Sequence, residues 1–150
     1  MFDNLNFKAV TAAGKSSSEL VSITHSFKTK KNELLFRISH EAMERCGFQY
    51  QDKVQLLFAN GNTVCRIMKS DKPGSVTLSQ QTKKSDTSPA VIRLSFRAGL
   101  PDFLAQESKG TDKKLSRVKY LHKDDMIEFK EGCLTFQLDL VDSEEDEVLW

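Results

Sequence analysis

The chain has 150 residues, 39% apolar and 29% charged, with 22 Lys and Arg set against 21 Asp and Glu for a net charge of +1. Such a length and composition fit one globular domain that buries its own core, and they exclude a disordered or fibrous chain. No apolar run approaches the roughly 20 residues needed to cross a bilayer, and the opening MFDNLNFKAV lacks the basic-then-apolar order of a signal peptide. Cys46, Cys65 and Cys133 cannot all pair and show no C-x-x-C spacing, so a soluble protein of the reducing cytoplasm, without membrane contact, is expected.

In chain order, the first structural signal is alternation with period two, the mark of a half-buried strand. Val21, Ile23 and Phe27 share one face with Ser22, Thr24 and Ser26 between them; after the polar turn KTKKN, Leu34, Phe36 and Ile38 repeat the pattern, predicting a hairpin. A short helix follows: Ser39 suits an N-cap, HEAMERC holds helix formers, and Gly47 stands where a C-terminal cap is needed. Residues 69–74 read as a turn and residues 81–89 as an exposed loop, both rich in Lys, Ser, Asp, Thr, Pro and Gly. Ile92, Leu94 and Phe96 alternate with Arg93, Ser95 and Arg97, LPDFLAQES offers a second short helix with Pro101 in its first turn, and Leu134, Phe136, Leu138 and Leu140 form the last alternating strand.

Two stretches match each other. DKVQLLFANGNTVCRI can be laid on DDMIEFKEGCLTFQL with Phe58 on Phe129 and Gly61 on Gly132, and each follows a strand and a short helical segment. The expected architecture is therefore a β-rich domain over residues 1–141 with one or two short helices. It forms a small barrel of two pseudo-symmetric strand-helix-hairpin halves, residues 33–69 and 90–140, with a β-sandwich as the competing arrangement. Residues 142–150 form an acidic tail.

The stretch LLFRISHEAMERCGFQYQDKVQLLFANGNTVCRI resembles the swapped-hairpin fold of the AbrB and MazE type of DNA-binding proteins, over about a quarter of the chain. Strand, short helix, Gly47, the Asp52-Lys53-Val54 strand start and a second strand follow in that family's order. The match departs from it at Ser39-His40, where a Pro is common, and at Tyr50-Gln51, where Pro-Gly is usual. The resemblance implies binding of double-stranded DNA through basic residues, with the barrel built within one chain instead of from two.

No catalytic or metal signature accompanies this. His25, His40 and His122 stand singly in three segments and read as surface or half-buried residues. Cys46 has no partner in the sequence, and Gly61, Gly74, Gly99 and Gly132 form no phosphate cradle. The adjacent Asp124 and Asp125, placed just before a strand, point to opposite faces. A non-enzyme without cofactor or metal is expected. The remaining chemistry is basic: Lys28, Lys30 and Lys31 crowd one hairpin turn, Arg93 and Arg97 share the polar face of one strand, and Lys83, Lys84, Lys113, Lys114, Arg117 and Lys119 extend the set.

Five acids, Asp142, Glu144, Glu145, Asp146 and Glu147, fall within the last nine positions, so the preceding chain carries 22 cations against 16 anions, a charge of +6. The tail DSEEDEVLW is similar to the tails of single-stranded-DNA-binding proteins. This similarity implies acids that compete with nucleic acid for the basic surface and an apolar tip, Leu149 and Trp150, offered to a protein partner. The leading expectation is a non-catalytic nucleic-acid-binding protein, such as an AbrB-like regulator. The alternatives are a protein-binding module or inhibitor that uses Phe2, Phe7 and exposed edges, and a single-strand-binding protein.

Overall fold

The computed structural model describes residues 19–109 and 114–145. Its chain order is β1 (Val21–Lys28), β2 (Lys31–Ile38), α1 (His40–Cys46), β3 (Lys53–Ala59), β4 (Val64–Lys69), β5 (Val76–Thr77), β6 (Ser79–Gln80), β7 (Ala90–Ser95), α2 (Phe103–Ser108), β8 (Leu115–Lys130) and β9 (Cys133–Glu145). The protein is β-rich, and the two helices among the described residues are short. No helix among the described residues is long and apolar enough to cross a membrane.

All nine strands among the described residues belong to one sheet, ordered β5-β3-β4-β9-β8-β1-β2-β7-β6, and every pairing in it is antiparallel. The hydrogen-bonded ladder does not close into a barrel, because β5 and β6 are its two edges. These edges are nevertheless consecutive in the chain and joined by Leu78 alone. Leu78 is fully buried, and its backbone bonds to Asp52 and Gln51 at the start of β3. The sheet is thus curled on itself, with its ends tied covalently at one apolar residue.

Each half of the chain runs strand, short helix, two strands: β2-α1-β3-β4, then β7-α2-β8-β9. Exchanging these halves, and β1 with the β5–β6 segment, leaves the pairing order unchanged: β1 lies between β2 and β8, and β5–β6 lies between β7 and β3.

The core fills the inside of the curl. Val21, Ile23, Leu34, Phe36, Ile38, Val54, Ile67, Leu134 and Phe136 are all at most 1% exposed and come from the alternating inward positions of five strands. The helices close the two ends of this core. Ser39 caps α1 by accepting from the Ala42 amide at 3.1 Å, and Ala42, Met43 and Cys46 turn inward. Asp102 caps α2 in the same way, accepting from Ala105, and Phe103 is buried against Phe58 and Tyr120 at centroid distances of 5.7 and 5.0 Å.

Gly47 ends α1 with φ 68°, and the β8–β9 turn closes over it: the Gly132 amide donates to the Cys46 carbonyl at 2.7 Å, and the Glu131 carboxylate occupies the space a methyl on Gly47 would need. Gly47→Ala is therefore expected to cost about 1–2 kcal/mol in urea unfolding, the usual penalty for a left-handed non-glycine residue. A neutral result would show that the turn does not lock the helix end.

Two features depart from the sequence reading. β8 is one sixteen-residue strand whose register slips between His122 and Ile127, with Asp125 at φ 61°. Asp124 and Asp125 thus sit in a bulge, not at the start of a strand. The acidic tail also begins later than its composition implies, because Asp142 to Glu145 belong to β9 and pair with β8. That half of β9 has no strand on its other side among the described residues, and its carboxylates and the irregular register there are devices that blunt an open edge.

Candidate nucleic-acid interface

Residues directly opposed in an antiparallel ladder point to the same side, so the registers of β8, β1, β2 and β7 define one outer face. Lys119, Thr24, Leu35 and Arg93 form one row across it; Leu121, Ser22, Arg37 and Val91 form the next; Arg117, Ser26, Glu33 and Ser95 form a third; and Lys28 opposes Lys31 beyond it. Neighbouring strands lie about 4.8 Å apart, which spreads the Lys119-to-Arg93 row over about 14 Å. Across these paired stretches the face carries six cations, Lys28, Lys31, Arg37, Arg93, Arg117 and Lys119. Glu33 is its one carboxylate. The centre, on β1, is made of the small hydroxyl residues Ser22, Thr24 and Ser26, so long side chains on either side flank a shallow strip.

Much of this charge is already engaged. Glu33 receives Arg93 at 3.0 Å and Lys31 at 3.5 Å; Arg117 bonds Asp142 at 2.8 Å and Glu144 at 3.6 Å; Lys28 meets Glu144; and Lys119 reaches Glu19 at 3.4 Å. Each pair has one well-exposed partner, while the side chains of Glu33, Arg117 and Lys119 are half-buried; with solvent reaching one side of every pair, an ion pair contributes about 1 kcal/mol, so a polyanion can displace them. Arg37 differs: its Nε is buried without a hydrogen-bond partner.

The sequence-predicted residues are only partly brought together. Lys28 and Lys31 stand at the end of this face, and Lys30 sits in the turn between them. That turn holds Thr29 and Lys30 at φ 52° and 64°, a conformation that favours Asn-Gly over a β-branched residue. Arg93 is on the face, but Arg97 is not: β7 ends at Ser95, and Arg97 opens the turn that its carbonyl closes with the Leu100 amide. Lys83 and Lys84 lie in the loop before β7 and belong to none of the rows above. Leu149 and Trp150, like Phe2, Phe7 and Lys113, lie outside the described residues. Arg117 and Lys119 were named from sequence as extending the basic set, but their alignment with Arg93 depends on β1 pairing with β8 about a hundred residues away, and Arg37, which the β1–β2 hairpin places on the same face, was not named.

His25 is the clearest miss. It is fully buried, with Nε2 2.7 Å from Asn32 Oδ1 and Nδ1 accepting the Leu104 amide at 3.3 Å, and its ring stacks on Phe96 at 5.3 Å. The signal was available, since His25 occupies the apolar face between Ile23 and Phe27. With Nδ1 accepting, Nε2 carries the proton, and the ring is neutral. Burial holds its pKa below the usual histidine value, against smaller opposing effects of Asn32 and Asp102.

The sign of the linkage follows. The unfolded chain binds a proton near pH 6.5 that the folded chain refuses, so His25's contribution to stability is complete above that pH and is lost as pH falls toward the lowered folded value. Denaturant midpoints should therefore fall in the native chain as the pH drops below about 6.5. His25→Phe, less stable overall because Asn32 and Leu104 lose a partner, should lack this component of the fall. An unchanged pH profile in that variant would assign the acid sensitivity elsewhere.

The remaining titratable groups indicate structural roles. Cys46 Sγ donates to the Cys133 carbonyl at 3.4 Å, and burial pushes its pKa up to about 11; burial raises Cys65 further still. Neither thiol is poised as a nucleophile. The Tyr120 hydroxyl, raised by burial and by its neighbour, donates to Glu107 at 2.6 Å and ties α2 to β8. Among the described residues no group of three His, Cys, Asp or Glu is placed to hold a metal ion.

Comparison with protein-family models, with curated proteins and with solved structures gave no match for this chain.

Proposed function

We propose that the chain is a non-catalytic nucleic-acid-binding protein of the cytoplasm, and that the outer face of β8, β1, β2 and β7 is its contact surface. The observation that carries the reading is the set of six cations and one carboxylate on four adjacent strands. Lys and Arg spread across a sheet at this spacing suit a phosphate backbone, whose binding releases counterions and does not require base contacts. The face has no aromatic side chain for base stacking, which favours a backbone-reading, duplex-type contact over a single-strand platform. The strand-helix-hairpin order of both halves supports the AbrB-like variant of this reading.

The acids of β9 fit the same proposal. Asp142 and Glu144 occupy Arg117 and Lys28 in the free chain, and phosphates would replace them. A fluorescence-anisotropy titration of labelled duplex and single-stranded oligonucleotides at about 50 mM salt tests the function. Saturable binding to duplex supports it. No binding to either form ends it and leaves the protein-docking reading, which the open strand edges described next favour.

A further inference from the structure

The two places related by exchange of the halves are filled unequally. Between β2 and β8, β1 pairs along eight positions on one side and five on the other. Between β7 and β3, the β5–β6 segment pairs at two positions on each side: Val76 and Thr77 with β3, Ser79 and Gln80 with β7. Beyond it, residues 55–59 of β3 and residues 92–95 of β7 keep one edge with no backbone partner among the described residues. Two grooves open there. One of about 370 Å³ is bordered by Val76, Thr77, Ser79 and β7; the other, of about 430 Å³, is lined by Leu56, Leu57, Phe58, Asn62 and the Gly99-Leu100-Pro101 turn.

From this we infer a second binding site, which adjoins the basic face and shares Arg93 with it: the slot between β3 and β7 receives an extended peptide of a partner protein as an added strand, antiparallel to both edges, as β1 is to β2 and β8. Its required chemistry can be read from the slot. Inward-facing Leu56, Phe58 and Leu94 are half-buried and call for apolar side chains at alternate positions. On the outer side stand Lys53, Arg66 and Arg93, Arg97 opens the turn just after β7, and Leu57 is 41% exposed, while β3, β5, β6 and β7 carry no carboxylate at all. The complementary strand is acidic on its outer face. Backbone bonds give such a strand its affinity and the alternating side chains its selectivity.

A second copy of this chain is a poorer occupant. Its one acidic open edge, in the far half of β9, already has β8 on the other side, so it can satisfy β3 or β7 but not both.

The test uses the full chain, backbone NMR and two blocked nine-residue peptides, one alternating Glu with Val or Leu and the other with Lys in place of Glu. The acidic peptide should bind with a Kd of about 10–100 µM, shift and protect amides within residues 55–59 and 92–95, and lose about fivefold in affinity in Lys53→Glu/Arg97→Glu. Both of those side chains are exposed and make no ion pair in the described structure, so the variant keeps its fold. Three results overturn the inference: no effect of the acidic peptide on either edge at about 1 mM, equal binding of the Lys peptide, or edges already protected without peptide. In the last case, protection that grows with protein concentration assigns the slot to a second copy, and protection at all concentrations assigns it to residues of the same chain. None of these outcomes depends on oligonucleotide binding.

Discussion

Phe103→Ala is expected to lower the stability of the protein by about 3–5 kcal/mol, the largest effect of any single substitution considered for this fold. The ring is fully buried at the start of α2 and touches three elements at once: Phe58 of β3, Tyr120 of β8 and His25 of β1, the last at 6.3 Å edge-on. Truncation removes the transfer energy of the ring and leaves a cavity that strands tied into a ladder cannot collapse to fill. Against a typical total of about 5–15 kcal/mol, this loss brings the chain close to unfolding. Urea denaturation should show a much lower midpoint with little change in slope. A loss below about 1 kcal/mol would mean that α2 is not the plug between these strands.

The second large effect concerns binding. Replacing Arg37, Arg93 and Lys119 together by Ala removes cations from three strands of the outer face and is expected to weaken duplex binding at low salt by about 10- to 100-fold. Asp142→Asn with Glu144→Gln acts in the opposite direction. It frees Arg117 and Lys28 from their intramolecular partners and should tighten binding several-fold while costing little stability, since the two replaced carboxylates are exposed. Both sets follow net charge in sign, so the specific surface is separated from a general charge effect by the control Lys83→Ala/Lys84→Ala, in the loop before β7, which lowers net charge without touching the face and should leave binding nearly unchanged.

How much of this was legible depends on the range of the forces involved. The β1–β2 hairpin and α1 were readable because their determinants are local: alternation at Val21, Ile23, Leu34 and Phe36, a hydroxyl at Ser39 and a glycine at the αL position 47. The strand-helix-hairpin order of both halves was visible for the same reason. The seam was not, because β5 and β6 are two residues each, too short for any period, and Leu78 is a lone apolar residue whose burial depends on both ends of the sheet meeting there. The bulge in β8 left its two halves looking like separate segments.

The same distinction holds for the candidate interface. Lysines crowding the β1–β2 turn are a local pattern and were found, whereas the rows joining Lys119 to Arg93 require two long-range pairings that no window of sequence contains. Arg97 was misplaced because alternation was extended two residues past the point where β7 gives way to a turn. Asp142 and Glu144 read as part of an acidic tail, and that they belong to a strand opposite Arg117, 25 residues earlier in the chain than Asp142, follows only from the β8–β9 ladder.

The most direct test of the central claim is the salt dependence of duplex binding, measured for the native chain and the Arg37, Arg93, Lys119 triple variant on the same oligonucleotide. If the outer face holds phosphates, log K falls linearly with log salt with a slope of about −4 to −5 for the native chain, and the variant's slope is smaller by about 2–3. A native slope near zero, or equal slopes for the two proteins, would contradict the assignment of this face as the nucleic-acid contact.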